Sequence, residues 1–194
     1  DLMKANQVDI MWLNDGRFTP GMMDVYLPLL QFAIPHCRVF QFPTKYVHTG
    51  SRCQSFNRMG GAIAIVTHQW HGYVSNHIPD PTGSGLINAI DITVGQYSFR
   101  SINSYLVPTS SNTSHGRATI FSRLTSYIQG HTSPQWAKRL SPLKYQLSYM
   151  QHLVNSAEME PRRRRVVLIS GDMNRPITHT PGNSYSELNL WRRV

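Results

Sequence analysis

Apolar and polar positions along the 194-residue chain fall into two alternating kinds of pattern, one with the period of a strand and one with that of a helix. Val8-Asp9-Ile10-Met11-Trp12-Leu13 is a short apolar run that stops at the turn-forming Asn14-Asp15-Gly16, which predicts a buried strand. Residues 23–33 carry Val25, Leu27, Leu29, Leu30 and Phe32 and predict a helix, with Pro28 working against it. Cys37 to Phe42 predicts a second strand, and Gly60-Gly61-Ala62-Ile63-Ala64-Ile65-Val66 a third, opened by glycines. Residues 43–58 and 75–85 read as loops. Leu86 to Val94 and Tyr97 to Val107 predict a β-hairpin turned at Gly95-Gln96. Beyond the polar loop 108–116, Arg117 to Gln129 sets Ile120, Phe121, Leu124 and Ile128 at helical spacing. Residues 130–141 read as a loop. Leu143 to Val154 repeats the helical pattern behind the start signal Ser141-Pro142. Val166 to Gly171 is a clear buried strand, and Ser184 to Arg193 predicts a final helix.

Strands come first, and helices are inserted ahead of another strand. That order predicts a layered α/β or α+β domain. Apolar runs such as 60–66 and 166–170 need cover on both faces. The length suits one domain with its own core, taken as residues 1–194. No apolar run approaches the ~18 residues of a membrane span, so no membrane partner is expected.

Charge narrows the class of partner. Lys and Arg total 19 against 10 acids, giving +9, yet charged residues are only 15% of the chain, so the excess comes from scarce acids. Only Lys4, Lys45, Lys138 and Lys144 are lysines; the other bases are arginines, which suit bidentate phosphate contacts. A polyanionic partner, nucleic acid first, is the natural expectation. Arg162, Arg163, Arg164 and Arg165 form a run ahead of the last strand. They fit either a solvated face or a strip of phosphate contacts. The loop 43–58 interleaves Lys45, Tyr46, His48, Arg52 and Arg58 and could touch a nucleic-acid backbone; Arg17 and Arg175 complete the candidate basic contacts. Cys37 and Cys53 form no metal or redox motif, and His68, His71 and His77 lack a strong metal spacing.

With so few acids the search for chemistry is short. Asp1, Asp24, Asp80, Glu158, Glu160 and Glu187 read as solvated surface. Asp15 and Asp172 differ, because each follows directly on a strongly apolar strand. Carboxylates at strand ends can converge on one edge of a sheet, and oxygen ligands of that kind suit Mg²⁺ or Mn²⁺. Either carboxylate could instead cap a turn. In Gly171-Asp172-Met173-Asn174 the glycine permits a tight turn, and Asp172 and Asn174 can then both face one cleft.

Four blocks occur in an order that resembles the endonuclease/exonuclease/phosphatase superfamily, which includes abasic-site nucleases, DNase I and the nicking domains of non-LTR retrotransposons. Val8 to Arg17 looks like the family's strand ending in Leu-Gln-Glu-Thr, and Gly60 to Ile65 like its Gly-Gly-Val-Ala-Ile strand. Asn103-Ser104-Tyr105-Leu106-Val107-Pro108 looks like its Asn-x-Tyr-x-Pro block, and Val166 to Asn174 like its Gly-Asp-Phe-Asn block. The blocks together cover about residues 5–180 and are most similar in style to retrotransposon endonucleases.

The resemblance implies a four-layered α/β sandwich of the DNase I-like type and divalent-metal phosphodiester hydrolysis. Asp15 would stand where the family has its metal-binding Glu, and Tyr105 would be the tyrosine that contacts the phosphate. Asp172 would orient or deprotonate the attacking water, and Asn174 would hold the phosphate or that Asp. The implied cofactor is Mg²⁺ or Mn²⁺, the implied partner DNA with RNA as an alternative, and the implied compartment the nucleus. The sequence also departs from the pattern. Asp15 is one methylene shorter than Glu, and Leu106 and Val107 separate Tyr105 from Pro108 where the family has one residue. The family's first-strand Asn and its closing Ser-Asp-His block have no counterpart among the 194 residues, so a domain incomplete at both ends is expected. Two identities follow: a retroelement endonuclease domain, or a catalytically silent relative without cofactor. The second would bind nucleic acid in a mitochondrial or cytoplasmic ribonucleoprotein, with other chains covering its open sheet edges.

Overall fold

The computed structural model describes residues 2–14, 16, 18–45, 60–107, 120–137, 140–158 and 164–173. Among these residues seven strands form two sheets. In the first, β1 (Ile10–Asn14) and β2 (Cys37–Phe42) flank the central β3 (Ala62–Thr67), all antiparallel. In the second, β4 (Val74–Ile78), β5 (Ile87–Val94), β6 (Tyr97–Tyr105) and β7 (Arg164–Asp172) lie in that order. Its pairs are antiparallel except β6 with β7, which run parallel.

Alternation along β3 explains how the sheets stack. Ala62, Ala64 and Val66 face Ile90 and Ile92 of β5, with Trp12, Phe42 and Phe99 packed around them. Ile63 and Ile65 point the other way, onto Met3 and onto Met23 of α2 (Pro20–Ala33). A strand covered on both faces has no polar side, so its sequence is an unbroken apolar run. The outer face of the second sheet carries Ile87, Ala89 and Ile102. These pack on Leu143, Met150 and Leu153 of a long helix, Pro142–Glu158. The result is helix, sheet, sheet, helix: the four-layered α/β sandwich that the family resemblance implies, and a layered α/β domain as the element order predicts.

The remaining elements are short. One-turn helices occur at Leu2–Ala5 (α1), His68–His71 (α3) and Pro134–Ala137 (α5). With α4 (Ile120–His131), the long helix is α6. The passage from β6 to β7 runs through α4, α5 and α6, because two parallel neighbours need a crossover. Helix α2 begins earlier than its apolar spacing predicts. Thr19 caps it, its hydroxyl accepting from the Met22 amide at 3.3 Å, and Pro20 occupies the first turn, where no amide bond is lost. On its outer side Val25, Leu29 and Phe32 are exposed.

Three readings of the sequence are corrected. Strand β7 is not buried on both faces, because α6 covers one side of it and Val166 and Leu168 are exposed on the other. Residues 75–85 are not all loop, because β4 occupies Val74–Ile78. It is an edge strand whose Ser75, Asn76 and His77 are exposed, so it carries no apolar run to betray it. Asp80 is not solvated surface. Its carboxylate is buried and accepts from the Thr82 amide (2.9 Å) and hydroxyl (2.6 Å), the Ser84 hydroxyl (2.5 Å) and the Leu86 amide (2.9 Å). The Asp80 amide in turn donates to Asn88 Oδ1 at 3.0 Å. The loop so folded presses its Ser84 carbonyl on Gly60, whose φ of +92° and lack of a Cβ are both required there.

One buried ion pair ties the second sheet to its helix. Arg100 on β6 grips Asp91 on β5 through two bonds, Nε to Oδ1 at 2.6 Å and Nη2 to Oδ2 at 2.8 Å. Its Nη1 donates to the Leu153 carbonyl and the Ser156 hydroxyl of α6, both at 2.7 Å. Arg100→Met strands the Asp91 carboxylate in the interior and should cost about 3–5 kcal/mol of unfolding free energy. The double variant Arg100→Met/Asp91→Leu should recover much of that; urea unfolding of the three proteins measures both.

Beside this pair, burial together with the nearby Asp80 carboxylate pushes the Tyr149 phenol up to about 12, and burial pushes Tyr145 higher still. Unfolded tyrosine ionises near pH 10, so the stabilisation is fully present below that and is lost as pH rises through 12. Tyr149→Phe should flatten the alkaline loss of stability between pH 10 and 12 in a pH series of thermal melts.

Candidate functional site

The parallel register of β6 and β7 sets Tyr105 opposite Asp172. Both lie at the end of their strands, and the Leu106 amide donates to the Asp172 carbonyl at 2.9 Å. In a parallel pair, residues in register share a face. Two of the predicted site residues are therefore neighbours, although 67 positions separate them in sequence. Gly171 makes this approach possible. Its φ is +132°, and a Cβ there would fall on the Ser104 carbonyl of β6. The glycine of the Gly-Asp block thus has a steric reason.

The first sheet reaches the same edge through β1. Trp12 Nε1 donates to Ser101 Oγ of β6 at 2.9 Å. One pleat further on, Asn103 Nδ2 donates to Asn14 Oδ1. Asn14 is the residue directly before Asp15 in the chain. Asn103 is completely buried, stands two residues before Tyr105, and lies opposite Ser170, two residues before Asp172. Its Oδ1 has no hydrogen-bond partner.

A third residue holds the end of β6. Gln146 of α6 is buried, donates through Nε2 to the Tyr105 carbonyl and accepts through Oε1 from the Val107 amide, each at 3.0 Å. It behaves as a peptide group and pairs the backbone where the strand has run out of neighbours. The Tyr105 ring packs beside Leu86, Val107, Ile120 and Leu124, and the Asp172 residue is exposed.

The other predicted residues divide into two groups. Asp15, Asn174, Arg17, Arg52, Arg58, Arg162, Arg163 and Arg175 lie outside the described residues. Arg164 and Arg165 open β7, in register with Tyr97 and Ser98, at the end of the strand away from Asp172. Eight residue steps of about 3.3 Å put about 26 Å between the Arg164 and Asp172 positions. Sequence reasoning missed Asn14, Asn103 and Gln146 as site residues. The signal for Gln146 was a polar residue on the stripe of Leu143, Met150 and Leu153. For Asn103 it was a polar residue inside an otherwise strand-like run.

At the opposite end of the first sheet is an open cavity of about 600 Å³, lined by Met3, Asp9, His36, Cys37 and His68 among others. Burial pushes the Cys37 thiol up from its ordinary range. Among the described residues no group of three His, Cys, Asp or Glu side chains could hold a metal ion. Oxygen donors at the Tyr105–Asp172 edge are of another kind: the amide oxygens of Asn14 and Asn103 and the carboxylate of Asp172. Such a set fits a hard divalent cation, and the unpartnered Asn103 Oδ1 leaves room for one more bond.

No family model and no curated protein matches the chain. Among solved structures it is similar to a humanized D. rerio TDP2 carrying 14 mutations, at 12% identity and a TM-score of 0.47, over 90% of this chain and 56% of that one. It is similar to the human Nocturnin catalytic domain with bound sulfate at 16% identity and a TM-score of 0.46, over 89% and 54%. Sphingomyelinase C from Streptomyces griseocarneus gives 12% identity and a TM-score of 0.46, over 96% and 59%. The chain spans somewhat more than half the length of each of these three structures. At these identities the likeness concerns the fold alone.

Gln146→Leu keeps the volume but removes the acceptor of the buried Val107 amide. It should cost about 2 kcal/mol or more in thermal unfolding. It should also speed hydrogen exchange at the Val107 amide, read by NMR, well beyond the rest of β6.

Proposed function

We propose that the chain is a metal-dependent phosphodiesterase domain that nicks DNA, in the manner of a retrotransposon endonuclease. The observation that carries this reading is the register of Tyr105 and Asp172 at one sheet edge, with the Asn14 end of β1 fastened beside them by Asn103. Asp172 is exposed and lies at the tip of its strand, where a carboxylate can take a proton from an attacking water. Tyr105, held from behind by Gln146, offers a hydroxyl donor to a phosphate oxygen. Asp15, next after Asn14, adds a carboxylate for the cation, and Asn174, two residues after Asp172, adds an amide for the phosphate. Mg²⁺ or Mn²⁺ bound among these oxygens would neutralise phosphate charge and stabilise the leaving oxygen.

The basic excess supports the choice of substrate. Arginines 162–165 lead into β7 at the end away from Asp172. A duplex lying along the strand would therefore meet positive charge about 26 Å from the reacting phosphate, a span of about eight base pairs. Binding energy spent at that distance positions the duplex without touching the chemistry.

The experiment is the nicking of supercoiled plasmid in Mg²⁺. The wild type should produce open circles, and Asp172→Ala should lower the rate by about 10²-fold or more. Cleavage unchanged in Asp172→Ala overturns the assigned role. Binding of the plasmid with no cleavage in any divalent cation overturns the enzyme reading in favour of a catalytically silent nucleic-acid module.

A further inference from the structure

We propose that Asn103 is an oxygen ligand of the divalent cation, a role that rests on the phosphodiesterase reading and gives a function to a residue of the Tyr105 block that had none. The argument begins with how this fold treats buried amides. Asn88 uses both ends of its side chain, accepting from the Asp80 amide at 3.0 Å and donating to the Gly85 carbonyl at 2.8 Å. Gln146 likewise uses both ends, on Val107 and Tyr105. Asn103 is as deeply buried as Asn88 but uses one: Nδ2 is engaged with Asn14, and Oδ1 has no partner.

A buried acceptor without a donor destabilises the fold, and an apolar residue at this point of β6 would avoid that cost. The neighbours say what Oδ1 is for. Asn103 sits between the end of β1 and the end of β7, two positions before Tyr105 and opposite Ser170. Its Oδ1 therefore lies behind the edge where Asp172 emerges and where the chain continues from Asn14 into Asp15. Amide oxygens are ordinary ligands of hard cations, and a neutral ligand adds to a carboxylate site without adding repulsion between anions. The bond to Asn14 holds the Asn103 amide in one orientation, with its oxygen left over for the ion. The other unpartnered buried atom among the described residues, His71 Nδ1, belongs to α3 and has no group of metal-ligating side chains around it.

The test is direct binding of Mn²⁺, read as loss of the free-ion EPR signal on titration of the folded protein. Asn103→Leu should weaken binding by about tenfold or more. Asn103→Asp keeps the shape, adds a negative charge and should tighten it. Opposite signs for the two variants separate ligation from a purely structural role, because both variants break the bridge to Asn14 and a structural role would be harmed by both. Asn103→Ser, with less bulk, carries the weakening arm if the leucine variant does not fold. Binding equal to wild type in all variants, or weakened in Asn103→Asp as much as in Asn103→Leu, overturns the assignment. If plasmid nicking by Asn103→Leu then keeps its wild-type Mn²⁺ dependence, the phosphodiesterase reading stands without it. A wild type that neither binds Mn²⁺ nor nicks overturns both.

Discussion

The guanidinium of Arg100 sets the arrangement on which the rest of the molecule depends. It joins β5, β6 and α6 at one buried point, through both oxygens of Asp91 and through the Leu153 carbonyl and Ser156 hydroxyl. A charge in the interior is tolerated only when its donors are met, and here three of its nitrogens, Nε, Nη1 and Nη2, each have a partner. With α6 packed across the back of β5 and β6, the chain returns beside β6 as β7, in the parallel sense. Parallel return brings the C-terminal ends of β6 and β7 to the same edge. Tyr105 and Asp172 are neighbours through that register, and the Arg100–Asp91 pair anchors the helix that precedes β7.

Most of the architecture was legible as periodicity. Strands β1, β2, β3 and β7 and the β5–β6 hairpin follow their apolar runs closely, and α4 and α6 follow their 3.6-residue spacing. What escaped did so for identifiable reasons. Strand β4 is exposed at the edge of its sheet, so its side chains never had to be apolar. The one-turn helices are too short to carry a period. Asp80 looked like any surface acid between Pro79 and Pro81, because its partners are the amides and hydroxyls of its own loop, and no pattern of side-chain polarity encodes that closure.

The site divides in the same way. Asp172 stood out because it ends an apolar strand, a local property, whereas Tyr105 was marked by the family resemblance alone. Asn103 and Gln146 act through partners 89 and 41 positions away. A single polar letter inside a strand or on a helix stripe marks such residues as unusual without saying whom they meet. The charge pattern acquires a sharper meaning as well. Of the ten acids, Asp80 and Asp91 are buried and consumed by the fold. Scarcity of acids thus does two things, raising the net charge and making each remaining strand-end carboxylate distinctive.

Strand β7 has one more property, which concerns the protein in concentrated solution more than its chemistry. Among the described residues it is the last strand of its sheet, and on it Val166 and Leu168 are 56% and 52% exposed. A bare parallel edge with apolar side chains is a template for another strand, from any chain that presents one. The four arginines that precede Val166 carry like charges into the same segment. Two copies approaching edge to edge must bring those charges together. Like charges at the entry of an exposed apolar strand oppose edge-to-edge association, and added salt weakens that opposition.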